Sequence, residues 1–269
     1  GNEGLKLIFM FLSSVFRKFT FLIDSYFTHR LKYLSPFRQY PDRHFSSDSR
    51  REGSNWVAKG GDCWDHLIET PEIRNKVNDW LKNKSKIASN YSWQVYPRLG
   101  PDLIEKLLND SFDANADQDG EPIMFLGEDE YSNYVENVRD YIESSNQGSK
   151  ELRLFDNNLQ LSVSHKEVGV GISQVLPIIV NALASEFGQI LIEEPEIHIH
   201  PKLQAELGNL FVESAMGENQ NSFIIETHSE HLILRLLKII KNGGIEVDGE
   251  KVPFTNKDIS VLSVIKKDG

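Results

Sequence analysis

A chain of 269 residues with 39% hydrophobic and 26% charged residues can bury a core and need not be disordered, which leaves one large domain or two small ones. The formal net charge of −11 excludes a surface that binds nucleic acid all over, because phosphate contact needs clustered Lys and Arg. The single cysteine, Cys63, excludes an intramolecular disulfide, nothing resembles a Cys/His zinc cluster, and a reducing, cytoplasmic compartment is expected.

In chain order, Leu5 to Phe16 is strongly apolar and is followed by Arg17 and Lys18. The run is too short to span a bilayer. It has no small-residue cleavage site, and apolar residues resume at Phe19, Phe21, Leu22 and Ile23. A buried or partner-facing helix is therefore expected, with no membrane segment. A start inside an apolar helix also fits a chain whose beginning lies upstream.

From about Tyr33 to Lys59 the sequence is rich in Pro, Ser, Arg and Gly without a sustained period, and it reads as a long ordered loop ended by Gly60 and Gly61. Arg30, Lys32, Arg38, Arg43, Arg50 and Arg51 stand here against only Asp42 and Asp48. A local DNA contact through Arg38, Arg43, Arg50 and Arg51 is one reading, and a solvated basic loop is the other.

Helices are predicted at Cys63 to Ile68 and Pro71 to Lys82, the latter with Thr70 as N-cap and Pro71 at its first position. Leu103 to Leu108 and Tyr131 to Glu143 are further helix candidates, around an acidic, turn-rich stretch from Asp113 to Gly120. Three regions result: 1–59, a helix and basic connecting loop; 60–148, a mainly helical insert; and 149–269, an α/β lobe. In the lobe, Leu152 to Phe155 and Leu159 to Ser164 alternate like half-buried strands. Gln174 to Phe187 reads as a buried helix, Gln189 to Ile192 as a strand and Pro201 as a helix start. A strand at Phe223 to Ile225 and a helix from Glu230 to Lys241 follow. Short apolar strands alternating with helices predict a parallel sheet covered on both faces.

Three motifs carry chemistry. Val168-Gly-Val-Gly-Ile-Ser-Gln is a glycine-containing loop leading into a helix, with Ser173 and Gln174 at its start. Such a turn offers backbone N–H groups, a hydroxyl and a positive helix end to an anion, and it is also ordinary punctuation before a serine cap. It is not a phosphate-binding P-loop, for no Gly-Lys-Ser or Gly-Lys-Thr follows. Gln189-Ile-Leu-Ile-Glu-Glu-Pro-Glu-Ile-His-Ile-His-Pro delivers Glu193 and Glu194 to the strand end where open α/β sheets bind ligands. In a nucleotide site the first carboxylate holds Mg²⁺ and the second polarises the attacking water. Phe223-Ile-Ile-Glu-Thr-His-Ser places His228 at a second strand exit, where an imidazole can reach a γ-phosphate and Ser229 can cap the next helix. His198, His200 and His228 also raise a zinc or manganese hydrolase, without a ligand-spacing template.

Order and spacing together resemble the ABC-type AAA-family ATPases related to the RecF, Rad50 and overcoming-lysogenization-defect (OLD) proteins, in the bacterial subgroup with a Glu-Glu-Pro-Glu-x-His-x-His-Pro box. Tyr33-Leu-Ser-Pro-Phe-Arg-Gln-Tyr-Pro-Asp-Arg, Val77-Asn-Asp-Trp-Leu and Lys257-Asp-Ile-Ser-Val-Leu extend the resemblance over nearly the whole chain, the last as the strand after the third motif. It implies an ABC-ATPase head lobe using ATP and Mg²⁺. Gly169, Gly171, Ser173 and Gln174 would belong to the nucleotide-contacting signature loop. Glu193 would be the Walker B acid on Mg²⁺, Glu194 the catalytic base and His228 the switch histidine. The signature departs from Leu-Ser-Gly-Gly-Gln, which leaves open the register of Ser173. No Gly-x-x-x-x-Gly-Lys-[Ser/Thr] occurs, so a fragment or a split protein is expected, completed by a P-loop-bearing chain and working as a dimer. Relatives serve DNA repair or anti-phage defence, often with a nuclease partner. A non-catalytic scaffold derived from such a head is the alternative.

Overall fold

The computed structural model describes residues 2–38, 45–46, 55–82, 89–98, 149–163, 170–247 and 249–263. The helices expected at Leu103 to Leu108 and Tyr131 to Glu143 lie outside them, as do Arg43, Arg50, Arg51 and Gly169. The fold is mixed α/β with a parallel sheet. Strands β1 (Leu31–Leu34), β6 (Gln189–Glu193) and β7 (Ser222–Glu226) form that sheet in the order β1-β6-β7. A separate antiparallel sheet joins β2 (Phe45–Ser46), β3 (Tyr91–Arg98), β4 (Ser149–Asp156) and β5 (Leu161–Val163), with β4 central.

Helices α1 (Asn2–His29), α2 (Asp62–Glu69), α3 (Pro71–Lys82), α4 (Val170–Ala184), α5 (Pro201–Met216) and α6 (Glu230–Lys241) complete the framework. A hairpin of β8 (Ile245–Val247) and β9 (Glu250–Val252) follows α6. The apolar α4 packs on α2, α3 and α5 and also touches β1 and β6. One core results. Trp64, Leu67, Trp80 and Leu81 share it with Trp93, Leu152 and Leu154, with Val175 to Val180 of α4, and with Ile190 and Ile192.

Local signals explain the helix ends. Thr70 leaves its carbonyl to the amide of Arg74 as α3 begins at Pro71. Ser229 accepts from the amide of Leu232 at the start of α6. In α4, Pro177 carries no amide to donate one turn back. Gly60, at φ +72°, lies so close that an added Cβ would meet the Cβ of Pro177 at 2.5 Å. Both the left-handed backbone and the close approach therefore require glycine there.

The structure adds four details that the sequence pattern leaves open or places differently. The stretch from Tyr33 is not all loop: β1 pairs with β6 from Leu31↔Gln189 to Leu34↔Ile192. Within 60–148 the described residues hold the strand β3 as well as two helices, and β3 pairs with β4 over eight residues, across the boundary expected at 148. The half-buried strands after Gly148 belong to the antiparallel sheet and not to the parallel one. Lys257 to Leu262 forms no strand, because Asp258 accepts from both the amide and the hydroxyl of Thr255 and closes a turn there.

The N-terminal run is helical as expected but not buried: Phe16, Phe19, Leu22 and Phe27 of α1 are exposed. No helix among the described residues is long and apolar enough to cross a membrane. Cys63 is fully enclosed in α2, and burial, followed by the charges of Asp62 and Asp65, pushes its thiol pKa well up. The folded chain should therefore resist thiol labelling at neutral pH and react once unfolded in denaturant. Rapid labelling of native protein would place Cys63 outside this core.

Candidate functional site

Strand alternation assigns the faces of the parallel sheet. Lys32 and Leu34 align with Ile190 and Ile192 on one face, which the helices cover. Tyr33, Leu191 and Ile224 align across the other, where Ile224 is 56% exposed. Glu193 pairs in register with Glu226 and shares this open face, two residues along from Leu191. The carboxylates thus stand at the C-terminal edge, where parallel sheets bind ligands. The nearby Glu193 carboxylate as a hydrogen-bond acceptor, then burial and the charges of Glu193 and Glu226, raise the pKa of Tyr33.

The chain turns sharply after β6. Glu194 adopts φ +43° and His198 φ +61°, a region that non-glycine residues enter at a cost. The Glu194 amide donates to the Glu226 carbonyl at 2.8 Å, and the Ile197 amide donates to the Glu194 carbonyl at 3.2 Å. Glu196 reaches across to the loop after β7. One of its carboxylate oxygens accepts from the Thr227 hydroxyl at 2.7 Å, and the other accepts from the backbone amide of His228. The Ser229 hydroxyl donates to Gln204 Oε1 of α5 at 2.7 Å. The two strand-exit loops are therefore one hydrogen-bonded unit, with the His228 side chain exposed at its rim.

The first turn of α4 abuts the same unit, since a Cβ added to Gly171 would lie 3.3 Å from the His198 carbonyl oxygen. Ser173 and Gln174 do not open this helix. Helical geometry reaches back to Val170, so Ser173 is no N-cap; it is 1% exposed and its hydroxyl has no hydrogen-bond partner among the described residues. Gln174 is buried and donates to the Arg38 carbonyl at 3.3 Å. The physical reason is the apolar run from Val175 to Val180, which is buried throughout and draws the preceding turn in with it.

Arg38 also departs from expectation. It is 3% exposed and donates to the backbone of the Glu193–Glu194 turn, so it cannot belong to an exposed basic surface. Arg43, Arg50 and Arg51 lie outside the described residues.

The three histidines of the hydrolase alternative are not brought together. His200 Nδ1 accepts from the Lys202 amide at the start of α5, and no group of three or more His, Cys, Asp or Glu among the described residues is arranged to hold a metal. Mg²⁺ asks for less, because one or two carboxylates suffice when substrate phosphates and water supply the other ligands. Glu193, with Glu226 beside it, fits that donor set. Tyr33, Glu226, Glu196 and Thr227 are site residues the motifs did not mark in these roles. The strand alternation of β7 could have flagged Glu226, whereas Tyr33 depends on a strand hidden in an apparent loop.

A family model described as an AAA ATPase domain matches residues 46–233, more than half of the chain. No curated protein and no solved structure matches it.

Proposed function

The chain belongs to the AAA ATPase domain family, and from that premise we propose that it is the Walker B and signature half of an ABC-type ATPase head. One observation carries this reading: Glu193, Glu194 and His228 leave two adjacent parallel strands at one sheet edge, and Glu196 locks their loops together.

In this reading Glu193 holds Mg²⁺, which when bound neutralises charge on the β- and γ-phosphates. Glu194 accepts the hydrogen bond of the attacking water and draws off its proton as the new bond to the γ-phosphorus forms. The bond to the bridging oxygen breaks, and ADP leaves. His228 donates a hydrogen bond to the γ-phosphate from the rim. Tyr33 stands beside the Glu193 carboxylate on the same face. Since the side chains of Ser173 and Gln174 face inward, the anion contact of the signature region falls to the backbone amides of the first turn of α4, around Gly171.

The phosphate cradle is not in these residues: the 269 residues contain no Gly-x-x-x-x-Gly-Lys-[Ser/Thr]. It would come from a P-loop-bearing partner or segment. The open face along Tyr33, Leu191 and Ile224 supports this, because parallel sheets are otherwise covered on both faces. Nucleotide-driven dimerisation would then gate a DNA-related or anti-phage activity, a nuclease being the fitting partner.

The inward-facing Ser173 and Gln174 favour a second reading, a scaffold that keeps the fold without turnover. Calorimetric titration of MgATP into the purified chain tests the half-site. Binding weaker than about 1 mM is expected. Tight stoichiometric binding would mean that the chain holds a phosphate cradle of its own, and the half-site reading would be lost.

A further inference from the structure

The Arg38 guanidinium sits against the backbone of the acidic edge. Its Nη2 donates to the Glu193 carbonyl at 2.9 Å and approaches the Glu194 carbonyl at 3.5 Å. The first is a full hydrogen bond and the second only a long, weak arm. Nε and Nη1 have no hydrogen-bond partner among the described residues. Burial lowers the pKa of Arg38 to about 10, against the opposing charge of Glu196, so the group is still a cation at neutral pH. Burying an incompletely paired cation is unfavourable, and a simple packing position would be better filled by an apolar side chain.

What the cation contacts is the turn that aims Glu194. At φ +43° the Glu194 backbone persists only if its surroundings over-determine it. Three anchors do so. The Glu226 carbonyl accepts from the Glu194 amide, the Ile197 amide donates to the Glu194 carbonyl, and Arg38 grips the carbonyl just before. Gln174 in turn holds the Arg38 carbonyl, which links the second turn of α4 to the same backbone.

We propose that Arg38 is a positioning residue for Glu194, setting the turn from which its carboxylate projects and tying that turn to α4. The inference rests on the nucleotide-site reading for its consequence, but not for its geometry.

Arg38→Met and Arg38→Lys in the full chain test it by two readouts. In amide hydrogen exchange, Arg38→Met should speed exchange at Glu194 and Ile197 while leaving the amides of α5 as they were. In a head completed by its P-loop polypeptide, Arg38→Met should lower kcat roughly 100-fold with KM for MgATP unchanged, the size expected when a reacting group is misplaced by about 1 Å. Arg38→Lys, with a point charge in place of the fork, should restore part of kcat.

Unchanged kcat in Arg38→Met, or exchange that rises evenly over the whole chain, overturns the proposal. If Arg38→Met does not fold, Arg38→Lys decides by the same two measurements: a selective rise at Glu194 and Ile197 upholds it, and wild-type exchange and kcat overturn it. Should wild-type protein show no Glu194-dependent turnover, the ATPase reading fails instead, and the exchange pattern alone settles whether Arg38 sets the turn.

Discussion

ATP turnover by the completed head should fall about 10²–10⁴-fold when Glu194 is replaced by Gln, the contribution typical of a positioned general base. The substitution keeps the shape of the side chain and removes its basicity. The backbone anchors from Glu226, Ile197 and Arg38 use main-chain atoms, so the turn itself should survive. Nucleotide binding by the completed head is expected to persist, since Glu193 is untouched, and calorimetry beside a phosphate-release assay separates the two effects. A variant that loses binding along with turnover would move Glu194 from the chemistry to the metal or phosphate contacts. Partner-dependent turnover that ignores the substitution would favour the scaffold.

The residues of this site were unevenly legible. Helices α3 and α6 start where their local chemistry says, because Thr70 and Ser229 accept from amides a few residues on and Pro71 suits a first helical position. The strand end that carries Glu193 and Glu194 was legible for a related reason: an apolar run ended by paired carboxylates and Pro195 is a local pattern. Strand β1 was not, since four residues beginning Leu31-Lys-Tyr become a strand only through a ladder to β6, about 158 positions later. Arg38 was misread for the same reason. In sequence it sits among other arginines, and only the carbonyls of Glu193 and Glu194 turn it inward. The start of α4 was not legible at Ser173, which looks like a cap, because helical geometry runs back to Val170, ahead of the segment from Ser173 to Val180 that is buried.

The largest stability effect should come from a residue with no place in the motifs. Trp64 is fully buried in α2 and meets Trp93 of β3 edge-on, with ring centroids 5.4 Å apart and planes at 66°. It thus joins the helices of 60–82 to the antiparallel sheet, while α2 also packs on α4. Trp64→Ala should cost about 3–5 kcal/mol, from lost transfer energy and an unfilled cavity, against a total of roughly 5–15 kcal/mol for an ordinary domain. Urea unfolding followed by far-UV circular dichroism is the measurement, because the substitution removes a fluorophore. Leu234→Ala, at an exposed position of α6, should stay within about 0.5 kcal/mol and controls for the loss of an apolar side chain as such. A loss below about 1 kcal/mol at Trp64 would mean that the two layers are stable apart, well short of the core-truncation cost. A full loss means that α4, with Gln174 on Arg38, is seated on the same core that holds the antiparallel sheet, so the acidic edge cannot be uncoupled from the residues before it.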